Sequence, residues 1–311
     1  MLTLSYIVRQ VESRLLQIIP AKILSVIIGF LLFSSTTYAE NFSYEKYDSI
    51  IGALQTHKVQ DNESLIEIAR KFDVGYNSIV NANPEFDPFV PTVDGEVKVP
   101  TEWTLPEVDV YDGIVINISE MRLYHFFMQK GRKLVQTFPI GIGSEGNDTP
   151  LGNFRVVEKI VKPSWHVPDS IREERPELPR VVPPGPENPL GSHALRLSSH
   201  SIMIHGTDKP WAVGRRATHG CLRLYPEDIP KLFKAVANGA KVVITRQPVK
   251  AGLKSGKVYL EVHKDDEERP ENYMRLAVGV LKRKNLLKDV STEKLYQAIR
   301  DKTGIPVLIS E

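Results

Sequence analysis

HGTDKPWAVGRRATHGCLRL, residues 205–224, follows the apolar run Ser201-Ile202-Met203-Ile204 and holds the only cysteine of the 311-residue chain. That cysteine has a histidine two positions before it and an arginine two positions after it. The run ending at His205 and the run beginning at Leu222 both read as short strands, so the stretch predicts two strand ends that meet in space. A histidine close to Cys221 would draw off the thiol proton, and the resulting imidazolium would hold a thiolate with a pKa well below that of a free thiol. Gly220 lets the backbone come close to a bound carbonyl, and the amides of residues 219–221 become available as an oxyanion hole. A lone cysteine cannot close an internal disulfide, so it is a buried small hydrophobe, an intermolecular link or a reactive thiolate, and these neighbours favour the last.

Around this stretch the pattern is one of short strands: 113–118, 121–127, 134–140, 153–162, 194–197, 202–204 and 241–245. Ser119-Glu120 and Gln129-Lys130-Gly131-Arg132 are turn-like and make consecutive strands antiparallel neighbours. One helix is expected, Glu227 to Ala237, opened by Pro226 and closed by Gly239. Between Val161 and Gly191 lie eight prolines, which neither helix nor sheet can absorb, so this segment is expected to be a lid or substrate wall lined by Trp165 and His166. The remaining histidines, His57, His125, His166, His193, His200 and His263, lack a setting like that of His205 and His219 and read as surface or packing residues.

The combination HGTDKPWAVGRRATHGCLRL resembles the signature of the YkuD-type L,D-transpeptidases, a histidine-glycine pair followed after a spacer by Ser/Thr-His-Gly-Cys and an Asn or Arg. DTPLGNF at 148–154 is similar to that family's strand entry, and the resemblance spans 111–246. It implies Cys221 as the acyl-accepting nucleophile and His205 as the base, held by the backbone carbonyl of Gly206. It further implies His219, with Gly220, shaping the oxyanion region, and Thr218 in place of the commoner serine. Arg223 would meet a carboxylate of the stem peptide or form a structural ion pair. The implied reaction is ping-pong transfer of a peptidoglycan stem peptide from diaminopimelate to an amine, with release of D-alanine and without metal or cofactor. The resemblance is closest to the Gram-negative periplasmic branch, whose members join an outer-membrane lipoprotein to the wall or crosslink two stems, and it implies that carbapenems acylate Cys221.

Residues 55–101 open with a strand, then show helical spacing at Leu65, Ile68, Ala69 and Phe72. Asp61 or Asn62 can cap this helix, Ser64 and Glu67 offer a capping box, a second helix fits Tyr76 to Asn81, and a strand closes the unit at Gly95 to Val99. This stretch resembles a LysM domain, a β-α-α-β module that binds wall glycan. Residues 247–311 hold a strand at KVYLEVH and two helices, Tyr273 to Lys284 and Thr292 to Asp301, with no catalytic constellation.

At the start of the chain, Arg9, Arg14 and Lys22 precede an apolar run, Ile23 to Phe33, and small residues lead to Ala39. This reads as a signal peptide over 1–39: the apolar core of about 11 residues is shorter than a membrane span, and no cysteine near its end allows lipoprotein processing. An uncleaved segment would be the one membrane attachment. Removing it takes three basic residues and one acidic residue from totals of 40 and 38, leaving a balanced chain with no basic stripe for nucleic acid.

The organisation expected is therefore a signal peptide at 1–39, a linker at 40–54, the LysM-like module at 55–101, a catalytic domain at 111–246 and a C-terminal extension at 247–311. The fold class is a mainly β catalytic domain, a mixed β-sandwich with one helix and a proline-rich lid loop, beside a small α+β module and an α/β extension. Three other readings compete: a cysteine hydrolase of the L,D-carboxypeptidase type, a zinc site of His205, His219 and Cys221, and a wall-binding scaffold without catalysis.

Overall fold

The computed structural model describes residues 41–45, 48–199, 201–265, 272–288 and 290–311, which form one unit. The expected signal peptide and His200 lie outside the described residues. Among the described residues no helix is long and apolar enough to cross a membrane.

One nine-stranded sheet organises the catalytic part. From edge to edge it runs Phe42–Ser43, Arg132–Pro139, Arg122–Gln129, Gly113–Asn117, Lys241–Thr245, Gly152–Val161, His193–Leu197, Met203–His205 and Leu222–Arg223. Pairing is antiparallel except at two places, Lys241–Thr245 beside Gly113–Asn117 and Met203–His205 beside Leu222–Arg223. The mainly β, mixed character expected of this region is observed. In Gly113–Asn117 the consecutive side chains of Ile114, Val115 and Ile116 are all fully buried, as a strand covered on both faces requires.

The segment expected as a linker is built into this architecture. Phe42 and Ser43 extend the sheet edge opposite Val135 and Leu134, and Ile50–Gly52 pairs with Glu102–Thr104. The reason is apolar burial: Tyr44, Ile50 and Ile51 enter the core, which a free linker could not offer.

Residues 55–101 contain the expected elements: Gln55–Lys58 paired with Glu96–Val99 and two helices, Leu65–Lys71 and Tyr76–Ala82. Ser64, not Asp61 or Asn62, is the N-cap, and its capping box with Glu67 is complete. Asn62 takes the left-handed backbone in the turn before it, at φ 59°. The apolar face of this module is not a separate core. Leu65, Ile68, Ile79, Val97 and Val99 belong to the same buried cluster as Val115, Tyr124, Phe126 and Val135 of the large sheet.

The proline-rich segment does contain regular structure. Trp165–His166 pairs with Val181–Val182, and a helix, Asp169–Glu174, lies between them. Two-residue strands leave most proline positions free of ladder hydrogen bonds, which is how the segment accommodates them. Its base is fastened by one amide, because Nδ2 of Asn188 donates to the carbonyls of Pro163, Val182 and Pro183. The helix expected at 227–237 is shorter, Ile229–Ala235, since Asp228 occupies its N-cap.

The C-terminal extension forms a three-stranded sheet, Val249–Lys254, Lys257–Val262 and Val307–Leu308. Helices Asn272–Arg283 and Thr292–Asp301 pack on it around a core of their own. A buried ion cluster ties it to the catalytic sheet. Lys250 Nζ lies 2.7 Å from Glu120 and 2.9 Å from Glu261, and it also donates to the Thr104 carbonyl. His263, expected as a surface or packing residue, is buried here with Nε2 2.6 Å from Glu261. Burial works to raise the Glu261 carboxyl, but the Lys250 ammonium, the His263 hydrogen bond and the His263 charge prevail and hold it at about 2.

Candidate active site

Cys221 and His205 come together because of one short parallel pairing. Ile204 is in register with Leu222, and His205 with Arg223. Side chains two apart on a strand share a face, and so do registered partners, so Cys221, Arg223 and His205 are placed on the same side of the sheet. Gly141, on the other flank, exchanges backbone hydrogen bonds with Arg223 at 2.8 and 2.9 Å and fixes the strand from that edge.

A cavity of about 460 Å³ opens over this face. Six expected site residues line it: Cys221, His205, His219, Arg223, Thr218 and Trp165. Gly206 and Gly220 act through their backbones. The Gly206 carbonyl accepts from Nδ1 of His205 at 2.6 Å, the contact the family resemblance implied. An acceptor there requires the proton on Nδ1, which leaves the Nε2 lone pair available. A side chain on Gly206 would bring a Cβ to 2.9 Å from Ile229, and Gly220 has a φ of 90° that favours glycine.

The electrostatics differ from the expected thiolate-imidazolium pair. Burial pushes the Cys221 thiol up, against lesser downward pulls from a hydrogen bond to the Met203 backbone and from the charges of Arg223 and Arg196. Burial also drives His205 down to about 4, helped by the Arg223 charge and opposed by the Gly206 carbonyl. Both shifts favour the uncharged forms, a neutral thiol and a neutral imidazole on one cavity. The physical reason is desolvation, which is strongest at the imidazole, since His205 is 3 % exposed while Cys221 is half-buried. The thiol donates to the carbonyl of Ser201 across 3.6 Å.

His219 is on the cavity wall, half-exposed, with Nε2 4.0 Å from a carboxylate oxygen of Glu174 at the end of the Asp169–Glu174 helix. Arg223 keeps its buried Nε without a hydrogen-bond partner. Trp165 and His166 both line the cavity from the proline-rich segment, so His166 belongs with the wall and not with the surface histidines. For zinc, the one histidine-carboxylate cluster tight enough among the described residues is Glu120, Glu261 and His263, where the Lys250 ammonium already sits between the carboxylates.

The sequence reading missed two contributors. Arg196 lines the cavity from the neighbouring strand while paired with Glu158 at 2.8 Å. Thr149, in the DTPLGNF stretch, donates through Oγ1 to the Gly220 carbonyl at 3.0 Å and accepts from the Gly143 amide at 3.0 Å. In a trans peptide the N–H points opposite to the C=O, so Thr149 turns the Cys221 amide away from itself. Thr218 Oγ1 holds the next carbonyl, that of Cys221, at 2.6 Å. Both peptide groups around the cysteine are thus fixed by hydroxyls.

A thiol and an imidazole on one cavity, with both peptide groups beside the thiol held by hydroxyls, form a site suited to covalent acyl transfer. Residues 111–244 match the YkuD family, described as the L,D-transpeptidase catalytic domain. "Probable L,D-transpeptidase YcfS" of Escherichia coli is 38% identical over 230 residues, 71% of this chain and 71% of that protein. "Probable L,D-transpeptidase YbiS" of E. coli is 35% identical over 262 residues, 80% and 84% of the two chains. "Probable L,D-transpeptidase ErfK/SrfK" of Salmonella typhimurium is 34% identical over 276 residues, 84% and 88% of the two chains. The chain belongs to the L,D-transpeptidase family, and it is an L,D-transpeptidase enzyme.

Proposed function

We propose that Cys221 is the acyl-accepting nucleophile and His205 the base, acting on stem peptides of peptidoglycan. The observation that carries this reading is that both open onto one cavity while the Gly206 carbonyl keeps the proton on Nδ1 of His205. As Cys221 Sγ adds to the carbonyl that follows the L-centre of diaminopimelate, its proton passes to Nε2 of His205. Amides of the 219–221 segment stabilise the oxyanion. Collapse breaks the bond to D-alanine, whose nitrogen takes the proton from His205 and leaves a thioester on Cys221. An amine then attacks the thioester, His205 removes its proton, and the departing sulfur takes that proton back. Because the resting pair is neutral, each proton moves together with bond formation, and no free thiolate needs to accumulate.

Arg223 is the residue we assign to a substrate carboxylate, supported by its unpaired Nε on the cavity wall. Trp165 and Thr218 complete the walls, and His219 borders the oxyanion region. The module of residues 55–101 is read as LysM-like and glycan-binding, supported by its β-α-α-β element order. Residues 1–39 are read as a periplasmic export signal, the acceptor amine as a lipoprotein lysine or a second stem, and Cys221 as the group that carbapenems acylate. Mass spectrometry of muropeptides from cells carrying the wild-type chain or Cys221→Ala tests the assignment. Loss of lipoprotein-linked tripeptide or of dimers joined through two diaminopimelates is expected. Unchanged products in the variant, or tripeptide as the one product of the wild type, would contradict transfer by Cys221.

A further inference from the structure

We infer that the module of residues 55–101 is a positioning element of the active site, gripping the loop that joins His205 to Cys221. This rests on the assignment of those two residues as the reacting pair. The loop, residues 206–220, is anchored on one side by the 140–144 segment: Gly214 donates to the Ile140 carbonyl, Ile142 to the Arg215 carbonyl and Ser144 to the Thr218 carbonyl. Its other side faces the module. The amides of Tyr76 and Asn77, at the start of the module's second helix, donate to the carbonyls of Val213 and Gly214 at 3.2 and 3.1 Å. The Arg215 guanidinium lies over the Tyr76 ring at 3.5 Å. The approach is close enough to require glycine: a Cβ on Gly214 would lie 2.2 Å from the Tyr76 nitrogen and 2.6 Å from the Gly75 carbonyl carbon, at a φ of 79°.

The chain that leaves Cys221 is gripped as well. Tyr225 OH donates to the Val74 carbonyl at 3.0 Å, and Arg70 pairs with Glu227 through two hydrogen bonds of 2.8 and 2.9 Å. Residues 70–77 therefore touch the loop before the cysteine and the chain that follows it, and the shared apolar cluster leaves the module no independent core on which to swing. Near-attack geometry tolerates little error, and a displacement of about 1 Å costs on the order of a hundredfold in rate. The module's role in transfer is thus geometric, and it is separate from any glycan it binds.

The test uses the full chain, with a tetrapeptide stem as donor, and measures kcat, KM, the rate at which iodoacetamide alkylates Cys221, and the melting temperature. Arg70→Glu places two carboxylates opposite each other at a half-exposed position and should lower kcat about three- to tenfold, with KM within twofold and a changed alkylation rate. The exchange Arg70→Glu with Glu227→Arg should restore most of the loss. Gly214→Ala should lower kcat on the order of a hundredfold. Lys58→Ala, on an exposed part of the module, should leave all four values unchanged. A wild-type kcat in Arg70→Glu, or a loss that the exchange does not recover, would overturn the inference. Activity retained by Cys221→Ala would instead overturn the assignment of the nucleophile, so the two failures are distinguishable.

Discussion

The depressed pKa of His205 makes the acid limb of the pH profile a sharp test of the neutral-pair mechanism. With His205 at about 4, close to 0.3% of the free enzyme carries an imidazolium at pH 6.5, where about half of an ordinary histidine is charged. The expected kcat/KM for D-alanine release is therefore flat from about pH 8 down to about pH 5, and it falls about tenfold per pH unit only below pH 4. Stability follows the same group with a defined sign. The folded pKa lies below the unfolded one, so the unfolded state binds more protons, and this contribution is intact above about pH 6.5 and lost as pH falls toward 4. The loss can reach about 3 kcal/mol, so unfolding should be followed by circular dichroism at each pH and the kinetics confined to the folded range. Arg223→Gln removes the second cause of the depression and leaves burial, so it should move the acid limb upward without reaching the ordinary histidine value. An acid limb centred between pH 6 and 7 in the wild type would refute the reasoning, because it would mean that the imidazole is solvated or paired with an anion.

Other predictions concern residues whose contacts are defined above. Thr149→Val should lower kcat about tenfold or more with KM little changed and cost about 1–3 kcal/mol in urea unfolding, since a buried carbonyl and a buried amide lose their partner; Thr149→Ser should restore both. Lys250→Met leaves Glu120 and Glu261 without their ammonium and should destabilise by about 3–5 kcal/mol, roughly 5–9 °C in melting temperature for a unit of about 270 residues. That deficit should shrink between pH 7 and pH 5 as a carboxyl in the variant takes up a proton, and a deficit independent of pH would count against the cluster as described.

Much of this architecture is legible in the chain because its periodicities are local. The strands at 113–117, 152–161 and 241–245 carry apolar alternation or apolar runs, and Ser64 with Glu67 marks a helix start by chemistry alone. That His205 and Cys221 reach one cavity was legible for a similar reason, since His205 ends the apolar run Ile202-Met203-Ile204 and Cys221 precedes a short strand. What escaped has no local signal. Phe42–Ser43 and Trp165–His166 are two residues long, too short for any period to show, and exist because distant strands receive them. Lys250 looks like a surface cation until Glu120 and Glu261 arrive from other elements. The state of the Cys221 thiol depends on desolvation, which the residues beside it do not report.

The position of Lys241–Thr245 in the sheet governs the order in which the enzyme can be completed. It is the last strand of the catalytic part in the chain, yet it lies between Gly113–Asn117 and Gly152–Val161, which do not pair with each other. As the polypeptide is synthesised, the strands bearing His205 and Cys221 emerge before the strand that joins their half of the sheet to the other. Pairing across such sequence separation is slow relative to local hairpins. The half of the sheet that carries the cavity, whose lining residues lie between 160 and 223, is therefore joined to the other half only by the residues after 240.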